Sequence, residues 1–199
     1  MKLGLIVESG PEGADIQVLS YLARHLTVGI EISPATFRNK PDMIAGCGRA
    51  AVQLLNEGCD RVLVVWDLYP AWREKGAKPC RRQDREAIGA SLTSSGISTP
   101  QVRLVCIREE LEAWLLADGR ALSAVLSTRA HPVRIRDRKK PEQARNPKKE
   151  LTRLFHQHNR RPYTDHRHAI QIVQALPDLN RVRRVPAFAR FARLVTGTV

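Results

Sequence analysis

No stretch of the sequence approaches the length of a bilayer-spanning helix, and the first apolar run, about five residues, is too short for the core of a secretion signal. The four cysteines, Cys47, Cys59, Cys80 and Cys106, include no CxxC pair, so nothing suggests a zinc knuckle or a disulfide framework. They read as scattered thiols of a reduced compartment, which places the chain in the cytoplasm and away from membranes. Gly10-Pro11-Glu12-Gly13 is followed by no Gly-Lys-Ser/Thr and is no phosphate-binding P-loop. Ser9-Gly10 lacks the flanking residues of a nucleophile elbow. No internal repeat occurs.

Negative charge is also scarce. Thirty-three Lys and Arg stand against twenty Asp and Glu, a net charge of +13 and a pI near 10.4. A field of this sign draws polyanions at long range, with nucleic acid the first candidate partner and an acidic protein the second.

At 199 residues the chain suits one domain and can bury a substantial core. Its first two-thirds alternate strand and helix signals. Leu3–Val7, Val28–Ile32, Arg61–Trp66 and Val102–Ile107 read as strands. Helical spacing covers Glu12–Leu26, a segment opened by Pro41 and closed by Gly58, Asp84–Leu92 and about Glu109–Ala117. The continuous apolarity of Val62-Leu63-Val64-Val65 suits a strand covered on both faces. The order predicts an α/β fold, a mostly parallel sheet of four or slightly more strands with helices on both faces.

Residues 1–127 form this α/β unit, and 128–199 form a basic helical extension packed on it. Arg129–Arg161 holds twelve Lys or Arg against three acids, and its proline-broken first half reads as a flexible, exposed arm. Pro147–His158, Tyr163–Ala175 and Ala187–Leu194 carry helical patterns.

Ligands of open α/β sheets bind beyond the carboxyl ends of the strands. Glu8 directly follows the first strand and Asp67 the third, each ending a buried run. Glu12 lies four residues after Glu8, and Glu109, Glu110 and Glu112 open the helix after the fourth strand. Carboxylates brought together repel unless a proton or cation separates them, and an oxygen-rich set suits Mg²⁺ or Mn²⁺. Helix capping alone also accounts for Glu12 and the 109–112 acids; Glu8 and Asp67 have no such explanation.

Val7-Glu8-Ser9-Gly10-Pro11-Glu12 resembles the first motif of Toprim domains, and Val64-Val65-Trp66-Asp67-Leu68-Tyr69 resembles the second, Asp-x-Asp after an apolar strand. Glu110-Leu111-Glu112-Ala113-Trp114 is similar to the Glu-bearing helix of OLD-type nucleases and RloB-like proteins. Together with Asn146–Leu151 and Pro186–Phe191, the pattern looks most like the bacterial domain-of-unknown-function family 4276, over nearly the whole chain. The resemblance implies a Toprim-like, Mg²⁺- or Mn²⁺-dependent nuclease or related phosphodiester-processing protein, serving as the effector beside an ATPase in phage defence. It implies Glu8 as general acid/base or ligand, Asp67 as principal ligand, and Glu12 and Glu112 completing the shell. Tyr69 stands where the second Asp of Asp-x-Asp is usual, which leaves open a non-catalytic nucleic-acid-binding or regulatory subunit on the same scaffold. A third reading is an α/β hydrolase-like enzyme acting on a small anionic substrate.

Arg73, Lys75, Arg81 and Arg82 follow Asp67 closely and, with Lys139, Lys140, Lys148 and Lys149, are the candidate phosphate contacts. Trp66, Trp72 and Trp114 are expected in packing rather than base stacking. His156/His158 and His166/His168 are each two apart, about 200° around a helix, which does not aim either pair at one ion.

Overall fold

Three of the apolar runs become strands of one fully parallel sheet. The computed structural model describes residues 1–72, 77–98, 100–159 and 162–197. The elements run β1 (Lys2–Val7), α1 (Ala14–Leu26), β2 (Glu31–Thr36), α2 (Lys40–Asn56), β3 (Arg61–Asp67), α3 (Arg81–Ser94), β4 (Val102–Ile107), α4 (Glu112–Leu115), α5 (Gly119–Leu126), α6 (Pro147–Asn159), α7 (Asp165–Gln174) and α8 (Pro186–Thr196). The strand order is β2-β1-β3-β4, with Leu5 beside Leu63 and Val64 beside Leu104 in the ladder.

Alternate side chains divide the core into two layers. Leu3, Leu5, Val7, Leu63, Val65, Val105 and Ile107 lie on the face that carries α1, while Ile6, Val62, Val64, Trp66 and Cys106 lie on the face of α2 and α3. Both faces are covered, which is why these strands read as unbroken apolar runs. α2 and α3 approach so closely that a Cβ on Gly48 would lie 2.1 Å from the Ser91 carbonyl oxygen.

Right-handed crossovers with this strand order put α1 alone on one face and α2 and α3 on the other. The half of the first face over β3 and β4 is filled by the chain's last third. α7 packs on α1, and α8 packs on β4 and α1. Leu126, Leu151, Phe155, Ile172, Phe188 and Phe191 share one buried cluster with Leu3 and Val105, so the core runs across position 127 without a break.

Three expectations need correction. β2 occupies Glu31–Thr36 rather than Val28–Ile32, because Gly29, at φ 73°, turns the chain and leaves Val28 97% exposed. β2 is an edge strand with no buried residue, and it carries Pro34, tolerated only where the ladder is incomplete. The expected helix at Glu109–Ala117 shrinks to α4, since Glu109 sits at φ 66°, outside helical geometry. α5 was not foreseen; the Asp118 side chain opens it by accepting the Arg120 N–H at 2.8 Å. The arm after Ser127 is tied down: Ser127 Oγ and Ser123 Oγ each accept, at 2.8 Å, the backbone N–H of Val133 and Ile135. Asp137 accepts from the Gly119 N–H and from Arg181.

Candidate functional site

Because the chain leaves β1 toward β2 on one side and later lays β3 on the other, a crevice opens beyond the carboxyl ends of β1 and β3. Glu8 and Asp67 stand at its mouth, and the Asp67 N–H donates to Glu8 Oε1 at 2.6 Å. Strand alternation sends the two side chains to opposite faces: Asp67 continues the Leu63/Val65 side and Glu8 the Ile6 side.

On the Asp67 side the partners are other acids. Asp67 Oδ2 accepts the Leu111 N–H at 3.2 Å, while Oδ1 is buried without a hydrogen-bond partner. Burial, and then the charges of Asp15, Glu8 and Glu112, push the Asp67 carboxyl well above the usual carboxylate range. Asp15, in the first turn of α1, is raised to about 7 by burial and by Glu8 and Asp165, with Lys148 opposing. Glu112, 5% exposed, is raised to about 7 by burial, against its backbone hydrogen bond and Lys148. Tyr163 donates its hydroxyl to Glu112 Oε1 at 3.2 Å, and burial followed by that carboxylate pushes the phenol upward. Lys148, at the start of α6, pairs with Asp165, and its N–H donates to Glu110 Oε2 at 3.3 Å.

On the Glu8 side the key neighbour is a buried cation. Lys40, 4% exposed at the start of α2, donates its ammonium to the Leu68 and Pro70 carbonyls at 3.1 and 2.7 Å. Burial lifts Glu8 to about 7, with Lys40 and the Asp67 amide opposing and Asp84 adding to the rise. Asp84 itself accepts both the Trp66 and Trp72 indole N–H groups, at 3.0 and 2.9 Å.

The structure therefore brings together Glu8, Asp67 and Glu112. Glu12 is not brought in: it lies exposed on the β1–α1 turn and gives its backbone carbonyl to Gln17. Asp15 is the carboxylate that α1 contributes instead. Sequence reading missed Asp15 and Lys40. The available signals were an acid in the first turn after Glu8 and a lysine in a helix's first turn, where the macrodipole disfavours a cation. Tyr69 is 43% exposed at the rim, its N–H donating to the Glu109 carbonyl.

Of the expected phosphate contacts, Arg81, Arg82, Lys139, Lys140 and Lys149 are exposed. Lys148 is also exposed, but its ammonium is committed to Asp165; Arg73 and Lys75 lie outside the described residues. Trp66 and Trp114 are buried, and Trp72 is half-buried against the α2–α3 layer. His156, His158 and His166 are exposed, and His168 is buried with its Nδ1 accepting the Thr164 N–H. Cys47, Cys59 and Cys106 are buried thiols, and Cys80 is half-buried.

Among the described residues, no three His, Cys, Asp or Glu side chains are gathered closely enough to hold one metal ion, and no helix is long and apolar enough to cross a membrane. What the mouth offers is an anionic, partly buried cluster balanced by two lysines, one on each side of the sheet. A family model described as a domain of unknown function, DUF4276, matches residues 13–195. No curated protein and no solved structure matches the chain.

Proposed function

Because the chain belongs to the DUF4276 family, whose function is unknown, we propose, from the carboxylates at its crevice, a Toprim-like protein that processes phosphodiesters with a divalent cation. The observation that carries this reading is Asp67 Oδ1, a buried carboxylate oxygen with no partner, facing the charges of Asp15, Glu8 and Glu112. Such an arrangement is stable only with added protons or a cation. The donor set is all hard oxygen, which fits Mg²⁺ or Mn²⁺. Mg²⁺ in phosphate chemistry often takes only one or two carboxylates and keeps several waters, so the lack of three gathered ligands is compatible with it.

In this reading Asp67 and Asp15 would hold the ion, with Glu112, fixed by its hydrogen bond from Tyr163, beside them. The cation would supply charge stabilisation to a phosphoryl group in transit. Glu8, on the opposite side and raised to about 7, is suited to take and return a proton near neutral pH, with Lys40 limiting how far its affinity rises. An ATPase partner in a defence system rests on the resemblance of the motifs alone. Tyr69 and the ungathered ligands favour the second reading, a subunit that binds nucleic acid on this scaffold without cutting it.

Incubating the protein with plasmid and Mn²⁺ beside Glu8→Ala and Asp67→Ala separates the readings. Cleavage lost in both variants supports the first, and binding without cleavage supports the second. If millimolar Mg²⁺ or Mn²⁺ gives no thermal shift that Asp67→Ala abolishes, the metal reading fails.

A further inference from the structure

β4 is the outer strand of the sheet, and five arginines stand along its free margin. Arg103 projects from β4, exposed. Arg81 and Arg85 rise from successive turns of α3, and Arg190 and Arg193 come from α8 on the other side of the strand. Arg190 donates its Nε–H to the Leu104 carbonyl at 3.0 Å, which fixes it against the strand. Burial, and then the charges of Arg85, Arg81, Arg193 and Arg103, lower its proton affinity, so Arg190 feels the other four guanidinium groups. None of the five forms an ion pair among the described residues; the neighbouring Arg82 does, with Glu86.

The five are spread along the strand rather than clustered at one point. Arg81 lies near Cys106 at the carboxyl end, where its charge opposes the rise that burial imposes on that thiol. Arg103 and Arg193 line a cleft with Asp60 and Gln101 at the amino end. A six-residue strand is about 20 Å long, so the row covers several phosphate spacings and ends beside the mouth that holds Asp67.

We propose that this margin is a track that grips the phosphate backbone of a nucleic acid and leads the strand to the mouth. The direction of travel rests on the proposed function above; the grip does not. Like charges held together without a close ion pair favour an external polyanion, and planar guanidinium forks match phosphate oxygens in pairs. An acidic protein is the weaker candidate, because a stable protein interface needs an apolar or aromatic centre. The exposed large hydrophobic residues among those described are Met1, Val28 and Tyr69, and none of them lies on this margin.

The test is fluorescence anisotropy with a short labelled DNA duplex and the corresponding single strand, in EDTA. Wild type is compared with Arg81→Ala/Arg85→Ala/Arg103→Ala/Arg193→Ala and with Lys139→Ala/Lys140→Ala/Lys149→Ala. The four arginines are exposed, so an unchanged melting temperature is expected and checks the fold. The arginine variant should lose about tenfold or more in affinity, and its log K against log salt should flatten by about 0.9 for each duplex phosphate contact removed. The lysine variant should lose less affinity per charge removed than the arginine variant, and an equal or larger loss overturns the track. Equal affinity and slope in the arginine variant and wild type overturn the track. So does a wild-type dimer, lost in the arginine variant, with DNA affinity unaltered. Asp67→Ala should still bind in EDTA, so failure of the metal reading leaves this result standing.

Discussion

Asp67 contributes a charge that the folded chain accommodates poorly. In the unfolded chain its carboxyl titrates near the ordinary value of about 3.9, while in the fold it is pushed well above that. Glu8, Asp15 and Glu112 are each raised to about 7. Where folded pKa values exceed unfolded ones, the unfolded state holds fewer protons in between, and stability falls as pH rises. The stabilisation is complete below the ordinary carboxylate range and is lost as pH climbs through about 7. Metal-free protein should therefore melt progressively lower between about pH 5 and pH 8, and Asp67→Asn should flatten that decline. At the upper end the variant should melt several degrees higher, since each kcal/mol is worth about 2–4 °C in a chain of this size. A wild type whose melting temperature is no lower than the variant's across that range would contradict the account. Glu8 and Asp67 were legible in the sequence because each is the first acid after a buried apolar run. Asp15 and Lys40 were not, because which helix side chain overhangs the mouth depends on the rotation of α1 and α2 over the sheet.

At the scale of elements, α8 behaves as core. Phe188 and Phe191 are fully buried, and Trp114 of α4 meets them with ring centroids 5.2 and 5.8 Å away. Phe188→Ala should lose about 3–5 kcal/mol, the range for emptying a buried phenyl site, read as a lower denaturant midpoint in equilibrium unfolding. A loss under about 1 kcal/mol would mean that α8 is only loosely attached, as surface changes usually are. β1, β3 and β4 were readable because both of their faces are buried. β2 was misplaced because an edge strand containing Ser33 and Pro34 carries no apolar run, whereas Val28 and Ile30 just before it do. α5 escaped notice because it follows α4 after only three residues, and its start depends on the buried Asp118 with Arg120 and Arg181.

For the whole molecule, the division at 127 suggested by the change in composition does not coincide with a division of the core. A chain ending at 127 would lose α8 from β4 and α7 from α1, exposing Val105 and Ile107. Such a fragment should bind a hydrophobic dye and show no cooperative melt, whereas the full chain should melt in one transition; a fragment with a sharp transition of its own would separate the two parts. The basic composition of the last third marks its outer surface, while its inner surface is as apolar as the sheet.

The two margins of that sheet also decide how copies of the chain can associate. Pro34 removes a donor from β2, and the Arg190 side chain occupies a carbonyl of β4 beneath a row of like charges. Neither margin offers the clean row of backbone groups that a neighbour's strand would need for templated growth. Strand addition is disfavoured at both margins, so association of copies is expected to use surfaces other than the edges of the sheet.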